Sequence, residues 1–95
     1  PDRAETWTNR GGVLSKLGRN DESLKAHDKA IQLRPDFVGA WYNKACAYSV
    51  MGDKKNALET LAKAIELDTG VKGAAKQDPD FKTLWNEKDF KKLVQ

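Results

Sequence analysis

The stretch that decides the fold runs from Trp7 to Pro35 and reads WTNRGGVLSKLGRNDESLKAHDKAIQLRP. Much of its pattern returns 34 residues later, in residues 41–69, as WYNKACAYSVMGDKKNALETLAKAIELDT. The identical pairs at this distance are Trp7/Trp41, Asn9/Asn43, Ser15/Ser49, Gly18/Gly52, Leu24/Leu58, Lys29/Lys63, Ala30/Ala64, Ile31/Ile65 and Leu33/Leu67. A fixed period of roughly 20 to 50 residues is typical of stacked repeats in which each unit is one supersecondary element. The chain is therefore expected to form a stack of similar units.

Each unit contains two stripes of apolar and small residues at helical spacing. The first stripe consists of Trp7, Gly11, Leu14 and Gly18 in one unit, and of Trp41, Ala45, Tyr48 and Gly52 in the other. Glycine readily adopts the left-handed conformation that ends a helix, so we expect each stripe to close at its last residue. Asn20 and Asp53 are predicted to be the N-caps of the helices that follow. The patterns predict antiparallel helical hairpins, with helices at 4–17, 20–33, 38–51 and 54–68.

A glycine in the middle of the first helix needs a structural reason. Gly11 costs roughly 1 kcal/mol relative to alanine inside a helix. The equivalent residue of the second unit, Ala45, is also small. We therefore expect a partner helix to approach closely at both positions.

These two units resemble tetratricopeptide repeats, a family whose 34-residue helix–turn–helix unit carries the pattern W-x2-L-G-x2-Y, then A-x3-F, then alanine and proline. The residues that carry the resemblance are Trp7, Gly11, Leu14, Gly18, Ala30 and Pro35 in the first unit, and Trp41, Ala45, Tyr48, Gly52, Ala57 and Ala64 in the second. Arg10 and Lys44 replace an apolar residue of the family, so we expect their charged ends to lie in water. His27 replaces a large aromatic residue, and Thr69 replaces the final proline. The resemblance implies an all-α fold, a right-handed α-solenoid of stacked helical hairpins.

The residues after Gly70 leave this register and are expected to cap the stack, because an uncovered terminal repeat would expose apolar surface. Asp78 and Asn86 are predicted N-caps of short helices, with Pro79 at a first helical position. The residues expected to cover the second unit are Phe81, Leu84, Trp85 and Phe90. This tail resembles the helical C-terminal extensions of many bacterial tetratricopeptide proteins.

The expected organisation is a single domain. Pro1 and Asp2 stand at the same distance before the first unit as Pro35 and Asp36 before the second, which suggests a fragment of a longer array. The domain is expected to span residues 1–95, with repeats at 4–37 and 38–71 and a helical cap at 72–95.

Composition and charge argue against several classes of protein. The net charge is +3, with 17 basic and 14 acidic side chains interspersed along the chain. No block of like charge suggests a nucleic-acid partner, and no apolar run approaches the roughly 20 residues of a membrane span. The single cysteine, Cys46, excludes an internal disulfide and fits a reducing compartment, so we expect a cytoplasmic protein.

Residues suited to catalysis are scarce. The single histidine, His27, lies at a packing position, and Cys46 belongs to a different face, so a Cys–His pair is not expected. One histidine and one cysteine do not make a usual zinc site. The pair Gly11 and Gly12 lacks the strand and the lysine of a phosphate loop. We expect a protein without enzymatic activity, metal or cofactor.

The first helix of each unit has a second face, opposite its packing stripe. Its members are Glu5, Thr8, Asn9, Gly12, Ser15 and Lys16 in one unit, and Gly39, Tyr42, Asn43, Cys46, Ser49 and Val50 in the other. In tetratricopeptide proteins this face lines a concave groove, so the resemblance implies a peptide-binding groove. Asn9 and Asn43 could hold an extended backbone through their amides, with Tyr42 and Val50 as an apolar wall. The alternative is that these are solvated polar positions without a ligand.

The resemblance also bears on the kind of peptide. Chaperone-binding members of the family use Lys and Asn on this face as a carboxylate clamp. Thr8 and Gly12 occupy the corresponding positions here, so C-terminal acidic peptides are disfavoured.

The leading interpretation is a non-catalytic module that binds a peptide or protein segment in its groove. The alternative is a self-assembling scaffold, a homo-oligomer without a dedicated peptide ligand. An enzyme or an RNA-binding repeat has weak support, since base-reading residues and a basic stripe are not evident.

Overall fold

The computed structural model describes residues 2–95, which form helices and no strands. The two repeats are built from four helices, α1 (Arg3–Lys16), α2 (Asn20–Leu33), α3 (Val38–Met51) and α4 (Lys54–Leu67). Shorter elements follow, α5 (Val71–Gln77), a 3-10 helix (Pro79–Leu84) and α6 (Lys88–Leu93). The predicted all-α stack of hairpins is confirmed, and the bounds of α1–α4 lie within one residue of those predicted. None of these helices is long and apolar enough to cross a membrane.

Local capping explains where the repeat helices begin and end. Asp2 accepts a hydrogen bond from the backbone N–H of Glu5 at 2.8 Å, and the Glu5 side chain accepts one from the Asp2 N–H, which completes a capping box. Gly18 and Gly52 have φ angles of 77° and 85°, the left-handed ending expected of glycine. Asp53 caps α4 through the N–H of Asn56, as predicted.

Two predicted N-caps are wrong by one residue. Asn20 is the first residue of α2, and its side-chain oxygen is buried without a hydrogen-bond partner within residues 2–95. The backbone N–H of Arg19 donates to the Leu14 carbonyl as part of the C-terminal ending of α1. Arg19 is therefore the N-cap residue of α2, one residue earlier than the predicted cap. Glu87, rather than Asn86, precedes α6.

The hairpin of α1 and α2 is built around Gly11. A Cβ at this position would lie only 2.6–2.9 Å from three ring atoms of the buried His27. The hydroxyl of Ser23 donates to the Gly11 carbonyl at 2.7 Å. The predicted close approach is confirmed here, and the equivalent Ala45 is completely buried in the second hairpin.

The two hairpins stack through α2 and α3. Ala40 is fully buried in an apolar cluster with Ala30 and Ala4. Lys44 does not extend into water as predicted, because its Nζ lies 2.7 Å from the Asp28 carboxylate and its side chain is mostly covered. The interface between the hairpins therefore contains a cluster of small residues and one partly buried ion pair.

The residues after α4 cover the end of the second repeat. Their buried side chains share one cluster with α3 and α4, which comprises Ala75, Phe81, Leu84, Phe90 and Val94 together with Ala45, Cys46, Ala57, Leu61 and Ile65. Phe81 packs edge-on against Tyr42, with ring centroids 5.6 Å apart. The Asp78 carboxylate accepts from the Asp80 N–H at 3.0 Å, so Asp78 is the predicted N-cap of the 3-10 helix.

The tryptophans lie at the edge of the core. Trp85 is 36% exposed, so the expectation that it covers the second repeat is wrong. Trp7 and Trp41 are half-buried, and the Trp41 indole N–H donates to the Pro35 carbonyl at 2.8 Å. A ring with one polar edge suits such a boundary, because the N–H still finds a partner.

Candidate functional site

A recess of about 540 Å³ opens between α1 and α3, and we call it the groove. Its lining consists of Thr8, Asn9, Gly12, Val13, Ser15, Lys16, His27, Asn43, Cys46, Ala47, Val50 and Asp80. The predicted face contributes eight residues to this lining, namely Thr8, Asn9, Gly12, Ser15, Lys16, Asn43, Cys46 and Val50. Four others of that face do not line it: Glu5, Gly39, Tyr42 and Ser49. Gly12 keeps the recess open, since no atom lies within 4 Å of the place where its Cβ would be.

A chain of hydrogen bonds crosses the groove floor and joins three helices. The Asn43 amide N–H donates to the Thr8 hydroxyl oxygen at 3.4 Å, and that oxygen lies 2.8 Å from Nδ1 of His27. Both bonds are satisfied if Thr8 donates to Nδ1, which assigns the imidazole proton to Nε2. Burial lowers the pKa of His27 to about 4, so the ring is neutral at pH 7. The chain therefore fixes Thr8 and orients Asn43.

The two asparagines are consequently not equivalent. Asn43 is partly buried and uses one amide N–H on Thr8, which leaves its other N–H and its carbonyl oxygen for the groove. Asn9 is exposed, and its side chain makes no hydrogen bond within residues 2–95. The site therefore offers one oriented amide and one free amide.

Tyr42 does not form a wall of the groove, which corrects that prediction. Its hydroxyl donates to the Asp78 carboxylate at 2.8 Å, and its ring packs against Phe81. Burial raises the pKa of Tyr42 above its usual range. The cap covers this side chain, and the exposed apolar residues of the groove are instead Val13 and Val50.

Asp80 brings a carboxylate to the groove from the cap. The Ser49 hydroxyl donates to the Asp80 carbonyl at 2.7 Å, which holds the start of the 3-10 helix against α3. Burial, and then repulsion from Asp78, raise the pKa of the Asp80 carboxyl, whereas the nearby Lys16 acts in the opposite direction. The groove thus carries both an ammonium and a carboxylate.

A cluster of possible metal ligands lies beside the groove. One ligand atom each of Cys46, Asp78 and Asp80 lies within 4.8 Å of the others. Asp78 already accepts hydrogen bonds from Tyr42 and from the Asp80 N–H. Burial raises the pKa of the Cys46 thiol well above its usual range, and the neutral thiol is a poor ligand. These groups are accounted for by capping and packing.

Cys46 and His27 line the same recess, although the sequence places them on different faces. In a nucleophilic Cys–His pair the thiol pKa is lowered by a charged imidazolium. Here burial moves both values the other way, since it raises the pKa of Cys46 and lowers that of His27. Both side chains are therefore neutral at pH 7, as expected for residues that pack in the interior rather than for a nucleophile and its base.

Some lining residues were not expected from the sequence. The sequence pattern predicts a packing role alone for His27, whereas its contact with Thr8 makes it part of the groove floor. Val13 and Ala47 lie within one helical turn of predicted groove residues. A prediction that assigned a wider arc of each helix to the groove would have included them. Asp80 comes from the irregular cap, and no periodicity points to it.

The fold and the groove together define a helical-repeat interaction module. Tetratricopeptide repeat family models match residues 4–37 and 38–70, so this chain belongs to the tetratricopeptide repeat family. Repeats of this family indicate protein–protein interaction and are typically non-catalytic.

Curated relatives match part of the chain. The peroxisomal targeting signal receptor of Candida albicans is 43% identical over 42 residues, and that of Eremothecium gossypii is 40% identical over 42 residues. Each match covers 44% of this chain but only 7% of the receptor. Both relatives are fungal, so they give no support to the bacterial resemblance of the tail.

Proposed function

We propose that the groove binds an extended segment of a partner protein through the amides of Asn9 and Asn43. The observation that carries the proposal is the recess between α1 and α3, in which one amide is held in place by Thr8 and another is free. An amide offers two donors and an acceptor, so the two can hold a peptide backbone with little dependence on its side chains. Val13 and Val50 supply apolar contact beside them.

The relatives are consistent with this function. Both are named as receptors for a peroxisomal targeting signal, and recognition of a signal in another protein is a task for a peptide-binding groove. With two repeats the groove is short, so we expect a Kd of roughly 10 µM or weaker.

The alternative function, a self-assembling scaffold, has a narrower basis. It is favoured by Val13 in α1 and by Leu17, the residue that follows α1, which are large apolar residues left exposed. However, the cap covers Ile65 at the far end of the stack, so a second copy finds no matching open surface there.

Removal of the amides tests the groove directly. A library of ten-residue peptides is screened against the protein, and the best binder is titrated into the variants. Asn9→Ala should weaken binding about tenfold, equivalent to about 1.4 kcal/mol, without moving the urea unfolding midpoint. Asn43→Ala should weaken binding and also lower the free energy of unfolding by about 1 kcal/mol, because Thr8 loses a partner.

Asn86→Ala is the matched control, since Asn86 is an exposed asparagine of the cap. It should change neither binding nor stability. Undiminished peptide binding in the Asn9→Ala, Asn43→Ala double variant would show that the groove amides do not hold the peptide.

A further inference from the structure

We propose that the groove selects protein segments that carry a positively charged side chain, and that the carboxylate of Asp80 binds this charge. This selectivity rests on the proposed function, because it defines the chemistry of the segment that the groove holds. Asp80 belongs to the 3-10 helix of the cap and lines the groove beside α3. The matches to the repeat models end at residue 70, so this carboxylate comes from the cap and is part of neither repeat.

The backbone of Asp80 is fixed on both sides. Its N–H donates to the Asp78 carboxylate at 3.0 Å, and its carbonyl accepts from the Ser49 hydroxyl at 2.7 Å. The next residue, Phe81, is completely buried and packs edge-on against Tyr42. The Asp80 side chain therefore starts from a well-defined point at the edge of the groove, which lowers the entropy cost of binding through it.

The carboxylate of Asp80, in contrast to its backbone, is unused. It accepts no hydrogen bond and forms no ion pair within residues 2–95. The neighbouring Asp78 differs, because its carboxylate accepts from the Tyr42 hydroxyl at 2.8 Å and from the Cys46 thiol at 3.8 Å. Of these two carboxylates, the one that lines the groove is the one left for a ligand.

The charges around Asp80 favour a cation as that ligand. Burial, and then repulsion from the Asp78 carboxylate, raise the pKa of Asp80, so its negative charge is incompletely compensated. Lys16 acts in the opposite direction but forms no ion pair with Asp80. A cationic side chain in the groove would supply the missing compensation, whereas an anionic side chain would be repelled.

Three peptides of about ten residues, acetylated and amidated at their ends, provide the probe. Each alternates alanine and serine and has lysine, glutamine or glutamate at one central position, so the peptides differ in a single side chain. They are titrated into the isotope-labelled protein, and backbone amide shifts at Asn9 and Asn43 report occupation of the groove. The lysine peptide should bind roughly threefold to fivefold more tightly than the glutamine peptide, as expected for a partly exposed ion pair, and the glutamate peptide should bind most weakly.

Variants of the chain separate Asp80 from other charges. Asp80→Asn keeps both backbone hydrogen bonds, so it should not lower the urea unfolding midpoint, but it should make the lysine and glutamine peptides equal in affinity. Asp80→Lys should prefer the glutamate peptide. Lys16→Gln should raise the affinity for the lysine peptide about twofold, because a like charge is removed from the groove. Asp36→Asn removes the same charge from an exposed residue outside the groove, so this matched control should keep the lysine preference.

The outcomes separate the possibilities. A lysine preference that Asp80→Asn removes and Asp36→Asn keeps supports the proposal. Equal affinity of the three peptides for the unchanged protein, with shifts at Asn9 and Asn43, would overturn it and leave the groove as the peptide site. A lysine preference that persists in Asp80→Asn would also overturn it, because another group then binds the charge. Absence of shifts with all three peptides at millimolar concentration would overturn both this selectivity and the proposed function.

Discussion

Two neighbouring glycines show how far a single residue depends on its surroundings. Gly11 faces the His27 ring, and an added Cβ would lie as near as 2.6 Å to it, whereas Gly12 has nothing within 4 Å. Gly11→Ala should lower the free energy of unfolding by about 1–3 kcal/mol through overpacking. Gly12→Ala should raise it by up to about 1 kcal/mol, because alanine has the better helix propensity. Urea denaturation of both variants measures the contrast, and equal effects would show that His27 does not restrict Gly11.

At the scale of elements, the hydrogen-bond chain that joins α1, α2 and α3 has a pH signature. His27 is the single histidine, and burial lowers its pKa from 6.5 to about 4. As pH falls from about 6.5 towards 4, the unfolded chain binds a proton that the folded ring does not, so stability is lost over that window. Relative to His27→Phe, the protein should lose about 2 kcal/mol of unfolding free energy between pH 7 and 4.5.

Urea titrations of both proteins at several pH values test this dependence. Protonation of carboxylates affects the two proteins alike, so it cancels in their difference. A difference that stays constant between pH 7 and 4.5 would mean that His27 titrates normally in the folded state.

At the scale of the whole molecule, the cap completes one of the two apolar clusters. Phe81, Leu84 and Phe90 bury the end of the second repeat against Leu61 and Ile65. Two repeats alone are fewer than the three or more usually needed for a stable stack. A chain ending at Gly70 should therefore unfold with a broad thermal transition, or aggregate through its exposed face. Trp85→Ala, which alters a partly exposed cap residue, should keep a sharp transition, and an equally sharp transition in the truncated chain would show that the cap is dispensable.

Prediction from the sequence was most accurate where the determining interactions are local. The bounds of α1–α4 follow from apolar spacing and from Gly18 and Gly52, whose left-handed conformation is decided within a single turn of helix. The face that carries Asn9 and Asn43 follows from the geometry of one helix. The N-caps predicted at Asn20 and Asn86 failed because adjoining segments, rather than the capping residue alone, set where those helices start.

The sequence by itself determined the repeat, its hairpins and the two helix faces that form the groove. These features depend on the 34-residue period and on the spacing of residues within single helices, both of which can be read from the order of the residues. Only the tertiary structure decided how those faces are used. Thr8 is bound to His27 and Asn43, which lie 19 and 35 residues away, so its role depends on the packing of three helices. Asp80 enters the groove, and Tyr42 leaves it, because an irregular cap folds back on α3. Such contacts join residues that are far apart in the sequence, so they follow from the packing of the helices and not from the spacing of neighbouring residues.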